Sequence, residues 1–254
     1  MELIEGIRQE GDAFLFDFEQ DGATDIIRLT EEVKQLQLFG RVFYYAYEFS
    51  DSVDSPTRTK FIHDLKFDVI PVDVRYKFIT RAVDSLDRKI GLDDFSAVVY
   101  PESKSNIVSD VLEYIYMCAH RPMRSFRLIK SLPKDIEFDY DAFVQTRLDN
   151  GNYTDAQKTE VLSNIRHMMD RIHSLDYFSI ARDSKYKYRK YLKDFYYFQS
   201  PGQEKDYANL SDGKVLIIDD VTTSGTTLSL MLQTLKCIFP KEIVIFSLIG
   251  NHKL

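Results

Sequence analysis

Two adjacent carboxylates, Asp219 and Asp220, stand directly after four consecutive apolar residues, Val215 to Ile218. Val221 follows, then the small residues Thr222, Thr223, Ser224, Gly225, Thr226 and Thr227, then an apolar stretch from Leu228. The apolar tetrad has the pattern of a strand covered on both faces. Ligands of open α/β sheets bind beyond the carboxyl ends of strands. A helix start offers an anion unpaired N–H groups and the positive end of its dipole. Gly225 lets the backbone turn tightly and approach a phosphate with no side chain between. Carboxylates are wrong for phosphate but accept hydrogen bonds from sugar hydroxyls. An acceptor pair beside an anion cradle is the layout that suits a ribose 5-phosphate. A P-loop would need a lysine where Thr226 stands, and a dinucleotide fingerprint would need spaced glycines where this turn has Gly225 alone.

Two other groups carry charge at telling places. Val98, Val99 and Tyr100 lead into Pro101, Glu102, Ser103 and Lys104, ahead of a helix beginning near Ser105. Helix N–H groups and the Lys104 ammonium suit a diphosphate, while Glu102 is an awkward neighbour for an anion. Arg182, Lys185, Lys187, Arg189 and Lys190 precede an aromatic strand at Phe195 to Phe198. They read either as a loop that closes over an anionic ligand and excludes water or as a solvated basic face. His167 and His173 lie six apart on a helical pattern and do not share a face, so the histidines read as structural or surface residues.

The Val215–Thr227 segment resembles, over its whole length, the signature by which type I phosphoribosyltransferases bind phosphoribosyl pyrophosphate (PRPP). The resemblance implies that Asp219 and Asp220 hold the ribose hydroxyls and that Thr222, Thr223, Ser224, Gly225, Thr226 and Thr227 hold the 5′-phosphate. It also implies a pyrophosphate loop at Glu102, Ser103 and Lys104, with Lys104 joining the two aspartates in catalysis. A mobile loop would carry Lys185 and Arg189. Mg2+ would ride on PRPP with no direct protein ligand. Members that act on 6-oxopurines carry an aspartate where Thr223 stands, so the turn looks closer to the orotate and general pattern.

The elements that must position these residues follow from periodicity. The resemblance covers roughly Phe95 to Leu248 and implies an α/β fold, an open and mainly parallel sheet flanked by helices. Phe95–Tyr100, Phe126–Ile129, Val215–Ile218 and Glu242–Leu248 read as strands; Ile107–Ala119 and Thr226–Ile238 read as helices. A strand–helix–strand order suggests a right-handed crossover. Residues 135–183, with a long helical pattern over Asp155–Ser174, read as a helical insertion in a domain spanning 91–254. Residues 1–90 read as an α+β extension, a hood of unknown role. Within it, Asp12–Glu19 and Val42–Phe49 have strand character, Thr57–Lys66 and Asp73–Ile90 helix character, and Thr30 with Glu31 and Glu32 marks a helix start.

Composition narrows the setting. A net charge of −7 provides no global field for nucleic acid, so any such contact must be local, at a patch such as Lys185–Lys193. The two cysteines, Cys118 and Cys237, sit in apolar stretches and read as core thiols of a reducing, cytoplasmic compartment. No signal peptide and no membrane span is expected. Sixteen Tyr and eighteen Phe, clustered at Phe39–Phe49 and Tyr186–Phe198, suit either the core or interface and base-stacking walls. The leading expectation is an enzyme, a phosphoribosyltransferase that moves ribose 5-phosphate from PRPP to a nitrogenous base and releases pyrophosphate. The alternative is an effector or regulatory nucleotide-binding protein of the same fold, of the phage-defence or retron-associated kind, using the site for sensing or nucleotide modification. Expected partners are PRPP and a nucleobase-like molecule. A second copy of the chain is an expectation by analogy with the family, and a protein or nucleic acid could meet the extension or the insertion.

Overall fold

The structure, a computed structural model, describes residues 6–10, 13–17, 27–49, 51, 53–103, 105–199, 210–211, 213–222, 224–236, 238 and 240–250. Its strands and longer helices run in the order β1 (Gly6–Glu10), β2 (Ala13–Asp17), β3 (Ile27–Leu38), β4 (Arg41–Phe49), α1 (Ser55–Lys66), α2 (Val72–Ile90), β5 (Ala97–Pro101), α3 (Ile107–Cys118) and β6 (Arg124–Lys130). There follow β7 (Glu137–Phe138), α4 (Asp155–His173), β8 (Leu192–Lys193), β9 (Tyr196–Phe198), β10 (Lys214–Val221), α5 (Thr226–Leu235) and β11 (Glu242–Gly250). The chain divides into two compact units. One comprises Met1–Arg127, Ser200–Gly225 and Ile238–Leu254; the other comprises Leu128–Gln199 and Thr226–Cys237.

The first unit is an open α/β sheet in the order β2-β1-β3-β4-β11-β10-β5-β6. Its centre is parallel: β4 with β11, β11 with β10, and β10 with β5. The N-terminal strands add an antiparallel flank, β3 on β4, β1 on β3 and β2 on β1. One face of the sheet is covered by α1, α2 and α3. Phe61 and Leu65 of α1, Phe78, Ile79, Val83 and Leu86 of α2, and Ile107, Val111 and Ile115 of α3 form one core with Leu216, Ile218, Val244, Phe246, Val98 and Ala46 of the strands. The strand residues named are every second one along each strand, as the pleat requires. Tyr47 is also buried there, its ring centroid 3.8 Å from that of Phe78. Its hydroxyl donates to the Phe78 carbonyl at 2.8 Å, so a polar tip is satisfied inside an apolar layer.

The helix start expected at Thr30 is not there. Thr30–Val33 lies within β3, where the β3–β4 ladder slips: Leu29 faces Tyr47 but Lys34 faces Tyr45. The acidic first-turn signature is overridden by strand pairing on both sides of this bulge, and the Val33 N–H is taken by the Ser85 hydroxyl of α2 at 3.1 Å. Cys237 lies outside the described residues.

In the second unit, Leu128–Lys130 at the end of β6 pair antiparallel with β9, and β7 pairs with β8. Helix α4 begins at a capping box. The Thr154 hydroxyl accepts from the Gln157 N–H, and the Gln157 side chain accepts from the Thr154 N–H. Phe138, Phe143, Tyr188 and Tyr191 meet edge to face and tilted, with centroids 5.1–6.3 Å apart.

Candidate functional site

Strand β10 carries the carboxylates to the edge of the parallel core. Its register with β11 reaches Asp219 opposite Ser247 and Val221 opposite Ile249. Both acids lie inside the strand, so the pleat sends them to opposite faces. Both are buried, Asp219 8% and Asp220 5% exposed. Asp219 Oδ1 accepts from the Asp220 N–H at 3.0 Å, and Asp220 Oδ1 accepts from the Val221 N–H at 2.7 Å. Asp220 lies on the face covered by α1, and the Lys66 ammonium at the end of that helix donates to both of its oxygens, at 2.9 and 2.7 Å.

Beyond β10 the Thr222 N–H donates to the Ile249 carbonyl at 2.8 Å, which fixes the exit of the turn. The Thr222 side chain is 2% exposed, and its Oγ1 has no hydrogen-bond partner among the described residues. A buried hydroxyl without a partner costs about 1–3 kcal/mol. Gly225 sits in the left-handed region at φ +67, where a side chain is strained. A Cβ there would also lie 3.2 and 3.3 Å from ring atoms of Phe39. Phe39 and Gly40 form the tip of the β3–β4 hairpin, both with positive φ, and the Phe39 ring is half exposed beside the turn. Thr226 and Thr227 then open α5.

The neighbouring strand end belongs to β5, whose Val99 is in register with Ile217 of β10, so both chain exits fall on the same carboxyl edge. The Ser103 hydroxyl accepts from the Ser105 N–H at 3.1 Å, and the Ser105 hydroxyl accepts from the Ile107 N–H at 3.2 Å. These turns lead into α3 and leave a cleft of about 140 Å³ lined by Tyr100, Pro101, Ser103, Ser105, Ser109 and Arg127, with Val108. Glu102 is turned to Arg127 of β6, with Nη2 to Oε1 at 3.0 Å, so its charge is compensated rather than presented bare to an anion.

Of the site residues expected from the sequence, Asp219, Asp220, Thr222, Ser224 and Gly225 are placed along one strand end and its turn, with Ser103 and Glu102 on the neighbouring one. Lys104 and Thr223 lie outside the described residues. Lys185 and Arg189 belong to the second unit. Lys185 is exposed at the start of a 3-10 turn, Tyr186–Tyr191, that is anchored by buried Tyr188 and Tyr191. The Arg189 guanidinium lies over the Tyr186 ring and donates to the Ser184 carbonyl. Sequence reasoning missed Lys66 and Arg127, and named Phe39 only as the first of an aromatic cluster. A lysine in a last helical turn and an arginine in a strand are too common to signal a site, and only the hairpin glycine beside Phe39 hinted at its exposure. Among the described residues no group of three or more His, Cys, Asp or Glu side chains comes together, and no helix is long and apolar enough to cross a membrane.

A carboxylate pair thus closes a buried parallel strand and is followed by a left-handed glycine turn into a helix. The family model of the phosphoribosyl transferase domain matches residues 144–253, a little under half of the chain. Lys66, Phe39, Ser103 and Arg127 lie outside the matched segment. Among solved structures, a hypoxanthine phosphoribosyltransferase from Staphylococcus aureus aligns with TM-score 0.37 and 12% identity over 76% of this chain and 72% of its own. A purine phosphoribosyltransferase from Pyrococcus horikoshii aligns with TM-score 0.33 and 13% identity, over 70% and 85%. No curated protein matches the chain by sequence.

Proposed function

We propose that the chain transfers ribose 5-phosphate from PRPP to a nitrogenous base and releases pyrophosphate. The observation that carries this is the buried Thr222 hydroxyl, without a partner among the described residues, at the start of the turn in the segment that matches the phosphoribosyl transferase domain model. The N–H groups and hydroxyls of Thr222 to Thr227 hold the 5′-phosphate, with Gly225 admitting its close approach. Asp219 and Asp220 accept hydrogen bonds from the ribose hydroxyls and fix the ring. The leaving pyrophosphate lies against Ser103, Ser105 and the start of α3, steadied by Lys104. Mg2+ carried on the substrate supplies charge neutralisation to the diphosphate. The C1–O bond breaks as a base nitrogen forms the new bond at C1. The site's contribution is orientation and preorganised charge, with no covalent nucleophile. Residues 27–90 are no separate hood: they supply β3, β4, α1 and α2 to the sheet that carries the site, and 135–183 act as an insertion. An acceptor other than a 6-oxopurine fits Thr223.

The test is calorimetric titration of PRPP with Mg2+ into the wild type and an Asp219→Asn/Asp220→Asn variant, with pyrophosphate release followed over a panel of bases. Binding to the wild type alone, with release in the presence of one base, is the expected result. Binding without release for any base would replace the transferase with the effector or regulatory reading. Absence of binding to either would overturn the sugar-phosphate site.

A further inference from the structure

The carboxylate that the proposed mechanism gives to a ribose hydroxyl is already engaged. Asp220 Oδ1 receives the Val221 N–H at 2.7 Å and the Lys66 ammonium at 2.9 Å, and Oδ2 receives Lys66 again at 2.7 Å. A carboxylate has about four acceptor directions, so these three contacts leave one, enough for a single hydroxyl. The side chain of Asp220 is 7% exposed and that of Lys66 29%, so the pair is shielded from water on the acid's side and open on the amine's. A carboxylate so buried needs a partner, and the two Lys66 contacts fix its orientation.

The position of Lys66 is itself fixed. Two residues on, Asp68 has a positive φ of 61 that turns the chain out of α1. It accepts from the Asn106 amide at 3.1 Å and pairs with Arg75, which also pairs with Asp110 of α3 at 3.0 Å. The end of α1 and the turn after it therefore touch both strands' carboxyl ends, Lys66 meeting Asp220 near the end of β10 and Asp68 meeting Asn106 beyond β5.

We infer that Lys66 is a positioning residue of the sugar-phosphate site: it holds Asp220 aimed so that one remaining acceptor direction meets a sugar hydroxyl. The inference rests on the sugar-phosphate reading above and adds to it a residue from outside the matched domain. It separates the two halves of the ligand. Lys66 governs recognition of the sugar through Asp220 and leaves the phosphate cradle of Thr222 to Thr227 untouched.

The experiment titrates ribose 5-phosphate and, separately, inorganic phosphate into full-length wild type, Lys66→Met and Lys66→Arg. Lys66→Met is expected to weaken ribose 5-phosphate by about ten-fold or more, the scale of a lost charge-assisted hydrogen-bond network. Inorganic phosphate should bind as in the wild type, and Lys66→Arg should recover most of the sugar-phosphate affinity. A general structural defect would instead weaken both ligands together, and that result overturns the inference, as does unchanged ribose 5-phosphate binding by Lys66→Met. Should Lys66→Met not fold, the same comparison on Lys66→Gln decides. Inorganic phosphate binding to a wild type that ignores ribose 5-phosphate would refute the role of Asp220 and of Lys66 while leaving an anion site. A wild type that binds neither would refute the sugar-phosphate reading itself.

Discussion

Gly225→Ala isolates the backbone requirement of the phosphate turn. Gly225 has φ +67, and an L-residue in the left-handed region costs about 1–2 kcal/mol. The added Cβ would also stand 3.2 Å and 3.3 Å from two Phe39 ring atoms and 3.5 Å from Leu38 Cδ1. Phe39 is 52% exposed at a hairpin tip, so its ring can give by a few tenths of an ångström into solvent. The steric part is thus the smaller one, and the total destabilisation should be about 1–3 kcal/mol. Urea unfolding of the wild type, Gly225→Ala, Phe39→Ala and the double variant separates the two parts. The cycle should return a coupling of well under half the total, because strain persists after the ring is removed. Phosphate affinity should fall with Gly225→Ala in the presence and absence of Phe39. A Gly225→Ala protein within about 0.5 kcal/mol of the wild type would refute the strain argument. Full rescue by Phe39→Ala would show that contact, and not backbone, made glycine necessary.

Thr222→Val removes a hydroxyl that no described residue satisfies. Stability should be unchanged or higher by up to about 1 kcal/mol in urea unfolding, while calorimetry should show weaker phosphate binding; a clear loss of stability would mean that the hydroxyl has an internal role. Acid should destabilise the second unit. Hydrogen bonds from Arg182, foremost, and from the Ser179 N–H hold the Asp183 carboxyl below its ordinary 3.8 against the effect of burial. Lys193, foremost, and the Ala142 N–H do the same for Asp139. Folded values below the unfolded one mean that this stabilisation is complete above about pH 4 and is lost as pH falls through the depressed values. Thermal unfolding followed from about pH 6 to 3 should show that loss, and Asp183→Asn should flatten the acid slope; an unchanged slope would remove Asp183 from the account.

The strand end Val215–Asp220 and its hydroxyl-rich turn could be read directly, because four apolar residues, two acids and one glycine at fixed spacing describe a local chain path that neighbours do little to alter. The helices Ser55–Lys66, Val72–Ile90, Ile107–Cys118 and Asp155–His173 were legible for the same reason, their apolar spacing matching the turn of a helix. What periodicity could not supply was partnership across long sequence separation. Thr30–Val33 carries helix-start chemistry, yet pairing with β4 makes it part of a strand. Strand β4 joins the parallel core beside β11, two hundred residues away in rough terms, because parallel strands are paired through crossovers and not through adjacent turns. Lys66 on Asp220, Arg127 on Glu102 and Phe39 against Gly225 are contacts of the same kind. The chemistry of the signature was written locally; the charges and ring that surround it were assigned only when the sheet brought the N-terminal region to its edge.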